Sequence, residues 1–141
     1  MNILAIDPGI ANTGIAYQKG ETVCYRTIVT QSGDPFSERI KEVLYEIDRF
    51  TTETWDWVII EDFVGHLGRN TVFLIGALLG LQDASSSVLI HPKKWVRQFF
   101  GKKEDYKKAA MRWCLKNGRK PRTQHEADAL CLLEWGKRYA V

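Results

Sequence analysis

The chain alternates between short apolar runs and polar breaks, and each break carries a turn or capping signal. The first run, Ile3-Leu4-Ala5-Ile6, ends on Asp7 and predicts a buried strand over residues 2–7. "DPGIANTG" reads as a turn in which Gly9 and Gly14 are free to take positive φ. "IAYQKGETVCYRTIV" predicts a hairpin, with strands at residues 15–17 and 23–29 around Lys19-Gly20. In "DPFSERIKEVLYEIDRF", Asp34 and Pro35 form a helix start, and Phe36, Ile40, Val43, Leu44 and Ile47 recur at helical spacing. "WDWVIIEDF" is a second buried strand that empties into acids. "NTVFLIGALLGLQDA" predicts a helix apolar on nearly every side, buried or at an interface, with Gly76 and Gly80 permitting close backbone approach. "SSVLIHP" is a short strand stopped by Pro92. "PKKWVRQFFG" and "KEDYKKAAMRWCLKNG" read as basic helices, "RKPRT" as a loop and "QHEADALCLLEWGKRYA" as a closing helix. Strand, hairpin, helix, strand, helix, strand, helices is the order of an α/β domain with a mixed sheet. No repeat, low-complexity tract or linker divides residues 1–141, so one domain is expected.

Composition narrows the class. Apolar residues make up 45% of the 141, enough for a packed core. No apolar run approaches the roughly 18 residues of a membrane span. The start lacks a basic segment followed by an apolar one, so no signal peptide is expected. Cys24, Cys114 and Cys131 are odd in number and form no CxxC pair. That usage predicts buried thiols in a reducing, cytoplasmic setting. The net charge of +3 hides a lopsided distribution. Residues 1–90 hold six Lys/Arg against twelve Asp/Glu, whereas residues 91–122 hold twelve Lys/Arg against Glu104 and Asp105. The second block is where a polyanion would bind; the alternative is a solvated lysine-rich helix face.

The acids suggest the chemistry. A carboxylate at the end of a buried strand is costly unless it finds a cation, and ligand sites form at such strand ends. Asp7 could instead simply cap the Pro8-Gly9 turn. "VIIED" repeats the design, and because successive strand residues point to opposite faces, one of Glu61 and Asp62 can face Asp7 while the other turns away. In "HEAD", His125 and Asp128 lie roughly 60° apart on the closing helix, while Glu126 and Asp128 lie roughly 160° apart. Only one of those pairs can serve one site. Oxygen donors from three distant segments suit Mg²⁺, and two such ions can stabilise the attacking and leaving oxygens in phosphodiester cleavage. With a basic block to grip phosphates, the combination points to a nuclease. His66 and His91 lack acid or cysteine partners at ligand spacing and read as non-metal. Most tryptophans read as anchors, although Trp95 and Tyr106 sit in the basic block, where an aromatic can stack on a base.

"ILAIDPGIANTGIAY", "VIIEDF", "GALLG" and "HEADALCL", in this order, resemble the RuvC-type Holliday-junction resolvases, from residue 2 to about residue 135. The compact length would suit a bacteriophage member. The resemblance implies a ribonuclease-H-like fold with a five-stranded mixed sheet flanked by helices. It also implies a homodimer, Mg²⁺ dependence with Mn²⁺ as a substitute, and paired nicks across four-way or branched DNA, without a small-molecule cofactor or a membrane. By position, Asp7, Glu61 and Asp128 match the acids of the family, and His125 falls where many members have another aspartate and some have histidine. Lys103 falls near a lysine that contacts the scissile region, and Lys102, Lys107 and Lys108 extend that basic surface. The family often places an aromatic wedge beyond its second acid; Phe63 is nearby, while the register puts Val64 at that position. The stretch between Lys103 and His125 is shorter than is usual in the family. The apolar helix at residues 72–81 is the candidate dimer interface. Two other classes compete: a YqgF-type nuclease of ribosomal RNA precursors, and a non-catalytic DNA-structure binding module. "IDPG" and the basic block favour the resolvase, and the intact set Asp7, Glu61 and Asp128 argues against a decayed site.

Overall fold

A computed structural model describes residues 1–50, 54–62, 69–81, 84–101 and 105–140. Among the described residues, five strands and five helices follow one another as β1 (Asn2–Asp7), β2 (Asn12–Lys19), β3 (Thr22–Val29), α1 (Phe36–Phe50), β4 (Trp55–Glu61), α2 (Arg69–Leu81), β5 (Ala84–Ile90), α3 (Pro92–Phe100), α4 (Tyr106–Lys116) and α5 (Gln124–Tyr139). The strands form one mixed sheet in the order β3-β2-β1-β4-β5. β1, β2 and β3 are an antiparallel meander, and β4 and β5 add in parallel beyond β1.

Alternation along the strands builds two cores. Leu4, Ile6, Val58 and Ile60 point to one face, where α1 supplies Val43 and Ile47 and α2 supplies Leu74, Ile75 and Leu78. Ile3, Ala5 and Ile59 point to the other, where Trp95 of α3, Ala110 and Cys114 of α4 and most of α5 cover them. β1 and β4 therefore read as continuous apolar runs because both of their faces are covered. Among the described residues no helix is long and apolar enough to cross a membrane.

Two local expectations change. The "QDA" end of the second helix is not helical throughout: α2 stops at Leu81, and Ala84 already pairs with Trp55 at the start of β5. An apolar run that passes from helix into strand carries no periodic signal of the switch. Gly14 is not in a turn. It lies inside β2 opposite Asp7, and the positive-φ glycines among the described residues are Gly20, Gly101 and Gly118, not Gly9 or Gly14. What Gly14 provides is room. A Cβ there would collide with the main-chain oxygen of His125, and a Cβ at Gly136 would collide with Ile59. These two glycines let α5 lie directly on the sheet. Gly14→Ala should lift the start of α5 and destabilise the protein by about 2–3 kcal/mol, read from the denaturation midpoint at unchanged m-value. A shift below about 0.5 kcal/mol would show that this contact relaxes freely.

The expected apolar helix proves to be two-faced in its packing. Leu74, Ile75 and Leu78 are buried, but Val72, Phe73 and Leu79 are exposed.

Candidate active site

Asp7 and Glu61 end two adjacent parallel strands, one step beyond the pair Ile6↔Ile60. Asp7 follows the parity of Ile3 and Ala5, and Glu61 follows that of Ile59, so both carboxylates project toward the α5 face. Asp62 takes the opposite parity, and its N–H donates to the Ile90 carbonyl.

The first turn of α5 lies over this point. Thr123 caps the helix by accepting from the Glu126 N–H at 3.1 Å. Glu126 reaches back, and its Oε2 accepts from the Arg122 N–H at 2.7 Å. "TQHE" thus behaves as a variant of the capping box, a signature present in the sequence that assigns Glu126 to holding the helix start. His125 and Asp128 then face the sheet. His125 Nδ1 lies 3.1 Å from Asp7 Oδ2, and its ring is the more exposed partner, at 41% against 15% for Asp7. Asp128 is buried, and Gln124 Nε2 donates both to its Oδ1 at 2.8 Å and to the Lys107 carbonyl at 3.0 Å.

Two further side chains were not assigned to the site by sequence. Trp95 is fully buried and its Nε1 donates to Glu61 Oε2 at 2.6 Å. Its apolar body looked like a packing anchor, and its partner is 34 residues away. Tyr106 opens α4 against the acids. Burial, then the charges of Asp128, Glu61 and Asp7, push its hydroxyl up to about 12.

The electrostatics are those of acids crowded without a cation. Burial, reinforced by Asp7, raises Glu61 to about 8 against the opposing effect of the Trp95 bond. Burial also raises Asp128 to about 6, opposed by the Gln124 bond and aided by Asp7. His125 is raised chiefly by its bond to Asp7. Among the described residues, no three His, Cys, Asp or Glu groups stand close enough to enclose an ion. Glu61 and Asp7 spend oxygens on Trp95 and His125 instead. The donor chemistry nevertheless fits a hard divalent cation: three carboxylates within electrostatic reach of one another, two of them driven toward protonation, are what such a cation relieves.

Lys107 and Lys108 are exposed in the first turn of α4, and Lys107 is near enough to act electrostatically on His125 and Asp128. Phe63, Lys102 and Lys103, together with Val64 and His66, lie outside the described residues. His91 caps α3, its Nδ1 accepting from the Lys93 N–H at 3.1 Å.

No family model and no curated protein sequence matches the chain. Solved structures do. RuvC of Thermus thermophilus superposes with a TM-score of 0.71 at 21% identity, over 99% of this chain and 95% of that one. The fold is that of the RuvC resolvases. The T. thermophilus protein in complex with a Holliday junction substrate matches with a TM-score of 0.69 at 21% identity, over 99% of this chain and 94% of that one. The fowlpox virus Holliday junction resolvase gives 0.63 at 13% identity, over 98% and 99% of the two chains. The ribonuclease-H-like mixed sheet expected from the sequence is therefore present, and the similarity runs through nearly the whole chain.

Proposed function

We propose that the protein is a metal-dependent endodeoxyribonuclease that resolves four-way or other branched DNA by paired nicks. It would act as a homodimer with one nuclease domain per chain over residues 1–141. The observation that carries this reading is the convergence of Asp7, Glu61, His125 and Asp128 on one face of a RuvC-type sheet. Asp7, Glu61 and Asp128, with His125, would hold Mg²⁺ or Mn²⁺, two ions per site. When bound, the metal neutralises the carboxylates and polarises the scissile phosphodiester and its attacking water.

The remaining steps belong to the protein. Trp95 and Gln124 each donate to a carboxylate oxygen and so fix the orientation of Glu61 and Asp128 before substrate arrives. In the His125 tautomer that donates Nδ1–H to Asp7, the single lone pair is on Nε2, and that atom either joins the ligands of a bound metal or accepts the proton of the attacking water, not both. Lys107 stands near the acids, with Lys108 next to it on the exposed start of α4, and these cations offset the repulsion between three carboxylates and a phosphate backbone. The exposed Val72, Phe73 and Leu79 of α2 are the apolar surface for the second copy, and two sites related by a two-fold axis give symmetric nicks.

The test is Mg²⁺-dependent nicking of a synthetic four-way junction, run beside linear duplex and a hairpin of ribosomal RNA type. Paired nicks confined to the junction are expected. Cleavage of the RNA hairpin alone would transfer the protein to the ribosomal RNA nuclease class, and junction binding without nicking would make it a binding module. Trp95→Phe should raise the Mg²⁺ concentration for half-maximal rate several-fold and leave junction affinity unchanged, because the donor to Glu61 is lost; the smaller ring also leaves a cavity, so the folded fraction is checked by its denaturation midpoint. An unchanged Mg²⁺ response would reduce Trp95 to a packing residue.

A further inference from the structure

A cavity of about 600 Å³ opens at the free edge of β3, away from the acids, and its lining includes Arg26, Lys120 and Arg122 together with Tyr25, Thr27 and Phe50. We propose that this basic pocket is a second DNA subsite, which takes a backbone phosphate of the cleaved strand a few nucleotides from the scissile bond. The proposal rests on the nuclease reading and adds a ligand-binding surface separate from the acids and from Lys107 and Lys108.

Asp7, Gly14 and Thr27 are consecutive partners across β1, β2 and β3, so they lie in one row and point to the same face. Two strand spacings put Thr27 about 10 Å from Asp7. That is about three base-pair rises along a duplex strand. Thr27 also hydrogen-bonds Thr123, the cap of the helix that carries His125, so the pocket and the acids are held by one rigid junction.

Lys120 and Arg122 are exposed, and neither side chain has an ion-pair partner among the described residues. Main-chain contacts pin both residues: the Lys120 N–H donates to the Tyr25 hydroxyl at 3.1 Å, and the Arg122 N–H to Glu126. Arg26 comes around the strand edge from the other face, paired with Glu46 at 2.7 Å and lying over the Phe50 ring. Among the described lining residues the one acid is Glu126, and its Oε2 accepts from the Arg122 N–H. Cations held at a fixed distance from the acids would set how the strand crosses the site, which free lysines on a helix face cannot do as sharply.

The experiment pairs a protein change with a substrate change. The first arm compares wild-type protein with the double variant Lys120→Ala/Arg122→Ala in junction binding across a salt series. Losing two phosphate contacts should weaken binding roughly tenfold and flatten the log–log salt slope by about 1.8. Lys137→Ala, a cation roughly 20 Å along α5 from its start, serves as the control. In the second arm, neutral methylphosphonates replace single phosphates one to five nucleotides from the cut. One position should weaken wild-type binding several-fold and have no further effect on the double variant. An unchanged slope, a loss no larger than that of Lys137→Ala, or substrate and protein effects that simply add would overturn the subsite. Those results differ from failure of the nuclease reading, in which wild-type protein itself neither nicks nor prefers branched DNA.

Discussion

Asp7→Asn is expected to lower the rate of junction cleavage by at least 10²–10³-fold while leaving junction binding within about twofold. Asp7 is the group the rest of the site refers to. It bonds His125, lies opposite Gly14 under the start of α5, and contributes to the raised pKa of both Glu61 and Asp128. Asparagine keeps the size and still offers an oxygen to His125 Nδ1–H, so the packing survives. It removes the negative charge that a divalent cation needs, and a DNA phosphate is not repelled by the change. Glu61→Gln and Asp128→Asn should behave alike. Asp62→Asn and Glu126→Gln should retain most activity, because strand parity and the cap at Arg122 turn these acids away from Asp7. His125→Ala should lose most of the rate, and His125→Asp should keep a substantial part, since a carboxylate serves Mg²⁺ at least as well. An Asp7→Asn protein cutting at the wild-type rate in Mg²⁺ would remove the basis of the proposed site.

Metal-free protein should lose stability as pH rises from about 5 to 8, by a few kcal/mol. Glu61 goes from 4.5 to about 8 and Asp128 from 3.8 to about 6 on folding. Each holds its proton in the folded state at a pH where the unfolded chain has released it. The stability linked to these groups is therefore fully present below their unfolded pKa values and is lost as pH rises through the folded ones. His125, raised by Asp7, adds a loss of the same sign. A shift from 4.5 to about 8 corresponds to a few kcal/mol for Glu61 alone. Urea unfolding in EDTA at a series of pH values measures the slope. Glu61→Gln should flatten most of it, because the amide has no charge to bury and still accepts from Trp95. Mg²⁺ at pH 8 should restore stability to the wild type and much less to the variant, since only a folded site gathers the carboxylates. Stability that stays level or rises between pH 5 and 8 without metal would contradict this account.

Much of the fold could be read from the chain because its signals are local. Apolar runs of strand length, the Asp34-Pro35 helix start and the stop at Pro92 each act within a few residues, and the elements lie near where those signals put them, although β2 begins at Asn12 rather than Ile15 and β5 at Ala84 rather than Ser86. The acids were legible as candidates for the same reason: a charge that ends a buried strand is conspicuous whatever surrounds it. "TQHE" carries a local cap signal of the same kind, and it is the observed cap that shows Glu126 held apart from Asp128. Parity alone states that Glu61 and Asp62 diverge. Which of them meets Asp7 depends on the parallel pairing of β1 with β4, a contact between segments more than fifty residues apart. Gly14 looked like a turn residue because glycine permits turns, and only the seating of α5 on β2 shows that its missing side chain is what matters. Trp95 shows the same limit. Its indole N–H finds Glu61 because α3 packs against α5 and α4 on the face to which Glu61 projects, and the pocket at Arg26, Lys120 and Arg122 exists because a loop before α5 reaches the edge of β3. By itself the sequence determined where the chain bends, which stretches are buried and which acids are out of place. Only the tertiary structure decided which of those groups share a site, because long-range pairing and burial bring together residues that local periodicity treats as unrelated.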